Sequence, residues 1–178
     1  MMTIFTIGHS TRDLADFSRV LQAHQVRLLE DIRAYPASRR YPHFNRENLE
    51  LWLPEIGCDY VWEKDLGGRR KKQMPRDESP NVALRNDSFR NYADYMLTTQ
   101  FQQALQRLVE RAGQKRTVIM CAEALYFRCH RMLVSDYLVS QGHTVLHILD
   151  ETPPKQHALS QDARIVDGKL VYRGDYLL

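Results

Sequence analysis

The sequence lacks any apolar run that approaches the ~20 residues a membrane-spanning helix needs. Its first residues, MMTIFTIGHSTRD, show no basic segment followed by a long apolar one, so we expect no signal peptide and a cytoplasmic location. Cysteine is scarce, and three thiols in a reducing compartment argue against a disulfide scaffold. Neither sign of charge predominates, because 25 basic and 22 acidic side chains leave a net charge of only +3. A net charge this small indicates no partner by itself.

The composition that remains is that of a folded globular protein. Hydrophobic residues make up 43% and charged residues 26% of the chain, which excludes disorder as the main state. At about 150 residues per domain, the 178 residues predict a single domain over 1–178.

Short β-rich segments alternate with amphipathic helical segments along the chain. The strands are predicted at 3–7, 26–32, 59–63, 117–120 and 144–149. One long helix is predicted from a cap at Ser88 to Gly113, and a small hairpin with an Asp-Gly turn at 165–172. This order predicts the α/β class: a mostly parallel open sheet of about five strands, with helices on both faces and a small C-terminal hairpin.

The segment 33–46, RAYPASRRYPHFNR, combines four arginines with aromatic rings and contains no acid. Such a mixture is suited to phosphates and stacked bases, so we predict a nucleotide or nucleic acid as partner. The residues expected to bind it are Arg33, Arg39 and Arg40 for phosphate, and Tyr41 or Phe44 for a base. A second basic segment, 69–76, is more typical of a solvated surface loop.

In an open α/β sheet, ligands bind beyond the carboxyl ends of the strands. The predicted strand ends carry many ionisable or polar side chains: His9, Ser10, Asp31, Arg33, Glu63, Lys64, Cys121, Glu123, Asp150 and Glu151. From these we predict Glu123 or Asp31 as a general acid or base, with His9 assisting.

The segment 121–131, CAEALYFRCHR, runs from a strand tip to a helix start. A helix N-terminus favours anions and lowers the pKa of a thiol. Cys121 is therefore either a nucleophile or part of the pocket wall, and Arg131 holds an anion or orients an acid. Arg128, Cys129 and His130 join the predicted binding residues.

Other interpretations of the same residues stay open. The spacing from Cys121 to Arg128 is one residue longer than in cysteine-dependent phosphatases, which resemble it without matching. The cysteines could be buried apolar filler, although that leaves the neighbouring charged groups unexplained. We predict no metal and no cofactor, because no Cys-x-x-Cys pair is present, and we interpret His147 as a hydrogen-bonded core histidine.

Five motifs together resemble the bacterial "domain of unknown function 488" family over about residues 3–148. They are TIGHS (6–10), DIRAYPASRRYPHFN (31–45), LGGRR (66–70), RNDSFRNYADYM (85–96) and CAEALYFRCHR (121–131). The chain departs from the family pattern at Tyr126–Phe127, where Pro-Trp is usual, and at Leu84, where an aromatic is common.

The resemblance implies a compact cytoplasmic α/β protein with a polar site, and it supplies no reaction. The positions it assigns to the site are His9, Asp31, Arg33, Arg39, Arg40, Cys121, Glu123, Cys129, His130 and Arg131.

The sequence as a whole predicts an enzyme acting on a phosphate-bearing substrate, a nucleotide or nucleic acid, with base-processing hydrolysis as one candidate reaction. One alternative is a non-catalytic nucleic-acid or nucleotide-binding module that uses the same basic loop. Another is a cysteine-dependent thiol or redox enzyme. The enzyme hypothesis requires that the arginine-rich loop and the cysteine-bearing bend enclose one pocket.

Overall fold

A computed structural model describes residues 1–174 and contains a six-stranded sheet and a separate two-stranded hairpin. The sheet strands are β1 Thr3–Gly8, β2 Leu28–Asp31, β3 Asp59–Trp62, β4 Thr117–Cys121, β5 Thr144–His147 and β6 Lys155–Gln156, in the order β3-β2-β4-β1-β5-β6. Strands β1 to β5 pair in parallel and β6 pairs antiparallel with β5. The hairpin joins β7 Ala163–Val166 to β8 Lys169–Tyr172. The predicted α/β class, parallel sheet and C-terminal hairpin are confirmed; β6 was not predicted.

Five α-helices connect these strands: α1 Leu14–Ala23, α2 Arg46–Trp52, α3 Asp87–Tyr95, α4 Thr99–Gln114 and α5 Arg131–Ser140. Short 3-10 helices lie at Pro42–Phe44, Leu53–Ile56, Lys64–Leu66 and Tyr126–Arg128. None of the helices within residues 1–174 is long and apolar enough to cross a membrane. The cytoplasmic location stays a prediction.

The prediction of one continuous helix from Ser88 to Gly113 was wrong. The chain forms α3 and α4, because the Thr98 hydroxyl accepts a hydrogen bond from the backbone N–H of Phe101 and caps a new helix there. The apolar periodicity continues through both helices, so it does not reveal the break. Gly113 lies inside α4 and does not end it.

Helices cover both faces of the sheet, as predicted. Helices α1 and α2 bury Phe17 and Leu49 against one face, whereas α3, α4 and α5 bury residues such as Tyr92 and Leu133 against the other. The neighbouring strands β2 and β4 therefore send their following chain to opposite faces, β2 into α2 and β4 into α5. A crevice at the carboxyl ends of two such strands is where ligands bind in open α/β sheets.

Gly8 brings the end of β1 against the segment that follows β4. Beyond the two strands, the backbone N–H of His9 donates to the Cys121 carbonyl at 2.9 Å, and that of Ser10 donates to Ala122 at 3.0 Å. A Cβ atom at Gly8 would overlap the carbonyl oxygen of Glu123 and would lie 2.9 Å from Cα of Ala124. Only glycine permits this approach, which positions both segments at the crevice.

We predict that Gly8→Ala destabilises the protein by about 2 kcal/mol, because backbone atoms must move to admit the methyl group. The midpoint of urea unfolding measures the change. Gly113→Ala is the matched control, since its Cβ would meet only the flexible end of Met2 and alanine favours the helix. Equal midpoints for Gly8→Ala and the wild type would contradict the close packing described here.

Candidate functional site

A cleft of about 800 Å³ opens at the carboxyl edge of the sheet, between the chain that follows β2 and the chain that follows β4. Nine of the strand-end and site residues singled out from the sequence line it: His9, Ser10, Arg33, Tyr41, Cys121, Glu123, Arg128, Cys129 and His130. The arginine-rich loop and the cysteine-bearing bend thus share one pocket, although they are far apart in sequence.

Two of the predicted phosphate-binding arginines lie outside this cleft. Arg39 lines a smaller neighbouring pocket of about 420 Å³, and Ala37 and Ser38 belong to the rims of both pockets. Arg40 is exposed, and its guanidinium lies 5.6 Å from the ring centre of Tyr41. The two side chains are next to the cleft and do not line it.

Asp31 lies behind the cleft wall and holds Arg33. Its carboxylate, which has no exposed area, accepts from Nε of Arg33 at 2.9 Å, from Nη2 at 2.6 Å and from the Tyr60 hydroxyl at 2.6 Å. Arg33 also donates to the carbonyl of Phe44 at 2.7 Å. The predicted acid–base role of Asp31 is not supported, because its oxygens are occupied; the carboxylate fixes a guanidinium at the cleft.

His9 presents a neutral imidazole to the cleft. Its Nδ1 lies 2.9 Å from the carbonyl of Ser10, so Nδ1 carries the proton and Nε2 is the acceptor, 3.4 Å from Nη1 of Arg33. Burial lowers the pKa of His9 to about 4. The ring stacks on Phe44, with 4.3 Å between the ring centres. Phe44 is fully buried, so it supports His9 and is inaccessible to the base it was predicted to stack.

The two cysteines of the 121–131 motif lie side by side. Sγ of Cys121 is 3.2 Å from Sγ of Cys129, and Nε of Arg131 donates to the two sulfurs at 2.9 and 3.3 Å. The backbone N–H of Arg131 adds a donor to Cys129 at 3.4 Å. Cys121 is buried, whereas Cys129 is partly exposed at the cleft.

The surroundings of the two sulfurs push their pKa values apart. The hydrogen bond from Cys121, helped by the charge of Arg131, lowers the pKa of Cys129 from 9.0 to about 6 against the opposing effect of burial. Burial raises the pKa of Cys121 well above 9.0. These directions predict that Cys129 is the thiolate of the pair and Cys121 the thiol. Of the two, Cys129 rather than Cys121 has the properties of a nucleophile.

Arg131 lies beneath the cleft, where its side chain is too buried to contact a bound ligand. Its side chain is 1% exposed, and Nη1 donates to the Thr6 hydroxyl at 3.2 Å. Nη2 donates to the carbonyls of Glu123 and Ala124. Arg131 thus holds the two sulfurs, and not the substrate anion expected from the sequence.

His130 and Gly68 close the floor of the cleft. Nε2 of His130 donates to the carbonyl of Ile32 at 2.8 Å, which ties the start of α5 to the end of β2. Burial lowers the pKa of this imidazole to about 4. A Cβ at Gly68 would lie 2.4 Å from Nδ1 of His130. The second glycine of LGGRR is therefore required for packing, a role that the sequence alone did not reveal.

Glu123 is exposed, and its carboxylate accepts from the backbone N–H of Leu125 at 3.3 Å. The acid–base role proposed for it requires partial burial, which the structure does not provide. Its backbone carbonyl is the part that holds Arg131. Within residues 1–174, no three His, Cys, Asp or Glu side chains lie close enough to hold a metal ion.

Arg69, Tyr35 and Phe89 line the cleft and were not predicted to do so. The guanidinium of Arg69 lies 5.7 Å from the ring centre of Tyr35, which is 70% exposed. Arg69 belongs to the basic segment that we interpreted as a solvated loop. The glycines that precede Arg69 were the sequence signal for its place in the cleft, because Gly68 brings the backbone of this segment against His130.

The sequence pattern of the family described as "Domain of unknown function DUF488" matches residues 13–138 of the chain, more than two thirds of its 178 residues. No curated protein and no solved structure matches the chain.

We predict that Cys129 is the thiol most readily alkylated by iodoacetamide, with a half-maximal rate near pH 6, since the thiolate is the reactive form. Reactivity is full at pH 8 and is lost as the pH falls through 6. Mass spectrometry of the three cysteine peptides measures each rate separately.

Cys58 is the internal control for this experiment. It is fully buried outside the cleft, and burial raises its pKa to about 12, so it reacts slowly as long as the protein is folded. A midpoint for Cys129 near its ordinary value of 9.0 would contradict the assignment of the thiolate.

Proposed function

This chain belongs to the DUF488 family, and from that premise we propose that it is a thiol-dependent hydrolase acting on a phosphate-bearing, nucleotide-type substrate, with Cys129 as nucleophile. One observation carries the proposal: the Cys129 sulfur lies at the cleft, 3.2 Å from the sulfur of Cys121, and accepts from the Arg131 side chain and a backbone N–H. Two N–H donors, one of them on a buried cation, stabilise the thiolate over the thiol.

The environments of Asp31 and Glu123 favour a thiol-dependent reaction over removal of a base catalysed by a carboxylate. Asp31 is occupied by Arg33 and Tyr60, and Glu123 is exposed to solvent. Neither environment produces the poised acid or base that a glycosylase-type reaction requires. The sulfur pair, by contrast, has the asymmetric environments that separate a nucleophile from its supporting donor.

The charge of the cleft supports an anionic substrate. Arg33, Arg69 and Arg128 line it, and Glu123 is the one acidic side chain among the described lining residues. Guanidinium groups bind phosphate oxygens as a fork of paired donors. Arg33 is held by Asp31 and Phe44 through Nε and Nη2, so it meets a phosphate oxygen through Nη1 alone, and the fork belongs to Arg69 or Arg128.

The rings beside these arginines support a nucleotide-type substrate. Tyr35, Tyr41 and Phe89 line the same cleft and are at least partly exposed. Flat side chains interleaved with arginines are the surface on which bases of single-stranded nucleic acids and nucleotides stack. The volume of about 800 Å³ lies within the range of small-molecule sites.

In the proposed reaction, Sγ of Cys129 attacks the electrophilic centre and forms a covalent bond to it as the bond to the leaving group breaks. Arg33 and Arg128 stabilise the negative charge of the phosphate group throughout. Water then breaks the bond to sulfur and regenerates the thiolate. His9, whose Nε2 faces Nη1 of Arg33 at 3.4 Å, orients this guanidinium.

A non-catalytic nucleotide-binding module remains the second candidate. The lining of arginines and rings supports it, since neither feature requires a reactive sulfur. The two candidates differ in the consequence of removing the Cys129 sulfur.

We predict that Cys129→Ser lowers turnover at least about a hundredfold and leaves substrate binding intact, because only the nucleophile is lost. The substrates to screen are nucleoside 5′-mono- and triphosphates and a single-stranded oligonucleotide, with products separated by chromatography. Cys58→Ala is the matched control and is expected to retain wild-type turnover.

Equal turnover by Cys129→Ser and the wild type would refute the thiol mechanism. If no substrate is turned over and nucleotide binding weakens steeply with salt, the binding module is the better description.

A further inference from the structure

A continuous chain of buried hydrogen bonds leads from the sulfur pair into the core. Nη1 of Arg131 contacts the Thr6 hydroxyl at 3.2 Å, and that hydroxyl lies 2.7 Å from Nδ1 of His147. Nε2 of His147 is 2.8 Å from Nδ1 of His157, whose Nε2 is 2.8 Å from Oδ1 of Asp136. All five side chains are at most 6% exposed.

The chemistry of the two ends fixes the direction of the two terminal hydrogen bonds. Arg131 can only donate and the Asp136 carboxylate can only accept. The Thr6 hydroxyl therefore accepts from Arg131, and His157 donates to Asp136. With one proton on each imidazole, Thr6 donates to His147 and His147 donates to His157.

His147 is neutral in this arrangement, with its proton on Nε2. The charged groups that face His147 are Arg131 and Lys155, with His157 as its titratable neighbour. Burial together with these groups lowers the pKa of His147 to about 3. The Tyr126 ring stacks on one face of His147, with 3.5 Å between the parallel ring centres.

We propose that Thr6, His147, His157 and Asp136 are positioning residues that hold the Arg131 guanidinium on the sulfurs of Cys121 and Cys129. The guanidinium is fixed on three sides. Nη2 is held by loop carbonyls and Nη1 by the chain, so Nε can point only at the sulfurs. A positively charged end and a negatively charged end polarise the neutral groups between them in the same direction.

Asp136 is itself held in place, which gives the chain a rigid end. Its Oδ2 accepts from the Tyr172 hydroxyl at 2.8 Å, and its Oδ1 also accepts from the backbone N–H of Ser160 at 2.9 Å. Through Tyr172 the C-terminal hairpin becomes part of the support of the thiolate.

The inference extends the proposed function, in which the Cys129 thiolate is the nucleophile, but its test does not use turnover. The variants are Thr6→Val, which removes the hydroxyl at nearly constant shape, and Thr6→Ser, which keeps the hydroxyl. The readout is the pH midpoint of Cys129 alkylation, with protection of Cys58 reporting that each variant is folded.

Thr6→Val is expected to raise the midpoint by about one unit and to slow alkylation at pH 5.5 about tenfold, because Arg131 is no longer fixed on the sulfurs. Thr6→Ser is expected to react within about twofold of the wild type. Equal profiles for Thr6→Val and the wild type, with Cys58 protected in each, overturn the proposal.

Asp136→Asn gives a second test, in which the direction of the shift in the Cys129 alkylation midpoint decides the outcome. Removing a distant negative charge would by itself lower the midpoint of Cys129, because another anion is then easier to form. Loss of positioning raises it, so the proposal expects an increase and is overturned by a decrease. If Thr6→Val exposes Cys58, this sign decides the question.

The two proposals fail in different ways. A wild-type midpoint near 9.0 removes the thiolate on which the proposed function depends. A wild-type midpoint near 6 that Thr6→Val and Asp136→Asn leave unchanged removes only the role of the chain.

Discussion

The buried guanidinium of Arg131 is the group on which the remainder of the site depends. A cation in a protein interior is costly unless it is paired and hydrogen-bonded. Among the contacts of Arg131 with residues 1–174, the two sulfurs are the groups able to carry negative charge; the others are a hydroxyl and two carbonyls. A thiolate next to this cation would be stabilised by it and would stabilise it in return, so the burial of the arginine favours ionisation of one cysteine.

The other polar side chains that line the cleft follow the same rule, since each is held by a buried partner. Asp31 holds Arg33, Phe44 supports the ring of His9, and the carbonyl of Ile32 fixes His130. The residues behind the wall have little exposed surface and no access to a ligand. Their function is to remove conformational freedom before a substrate arrives, which is how binding sites limit the entropy lost on binding.

The sequence predicted the fold well because central parallel strands are nearly all apolar and their carboxyl ends share one edge. That reasoning placed His9, Arg33, Cys121 and Cys129 at a common site. The reasoning failed where the state of a side chain depends on contacts with residues that are distant in the sequence. Which cysteine ionises depends on an Sγ–Sγ contact of 3.2 Å.

Asp31 was predicted as an acid or base, although a structural pair with Arg33 was the alternative, and that pair is present. The further partner Tyr60 lies on the neighbouring strand, 29 residues further along the chain. Thr6 and His147 become neighbours through the register of β1 with β5, which pairs them directly. Register is a property of the assembled sheet, so a buried chain of this kind cannot be read from spacing.

Both charged ends of that chain lie on α5, and their spacing explains why the chain exists. Arg131 and Asp136 are five residues apart, which places them about 140° apart around the helix and about 7.5 Å along it. Residues three or four apart would form a direct salt bridge, and the guanidinium would then turn away from the sulfurs. At five, the two charges can meet only through side chains of the strands beneath, Thr6 on β1 and His147 on β5, together with His157. The helix crosses from β4 to β5 over β1, so the order of the strands in the sheet is also the order of the hydrogen bonds. Asp136 therefore interacts with Arg131 through the chain of hydrogen bonds and leaves the guanidinium in contact with the sulfurs.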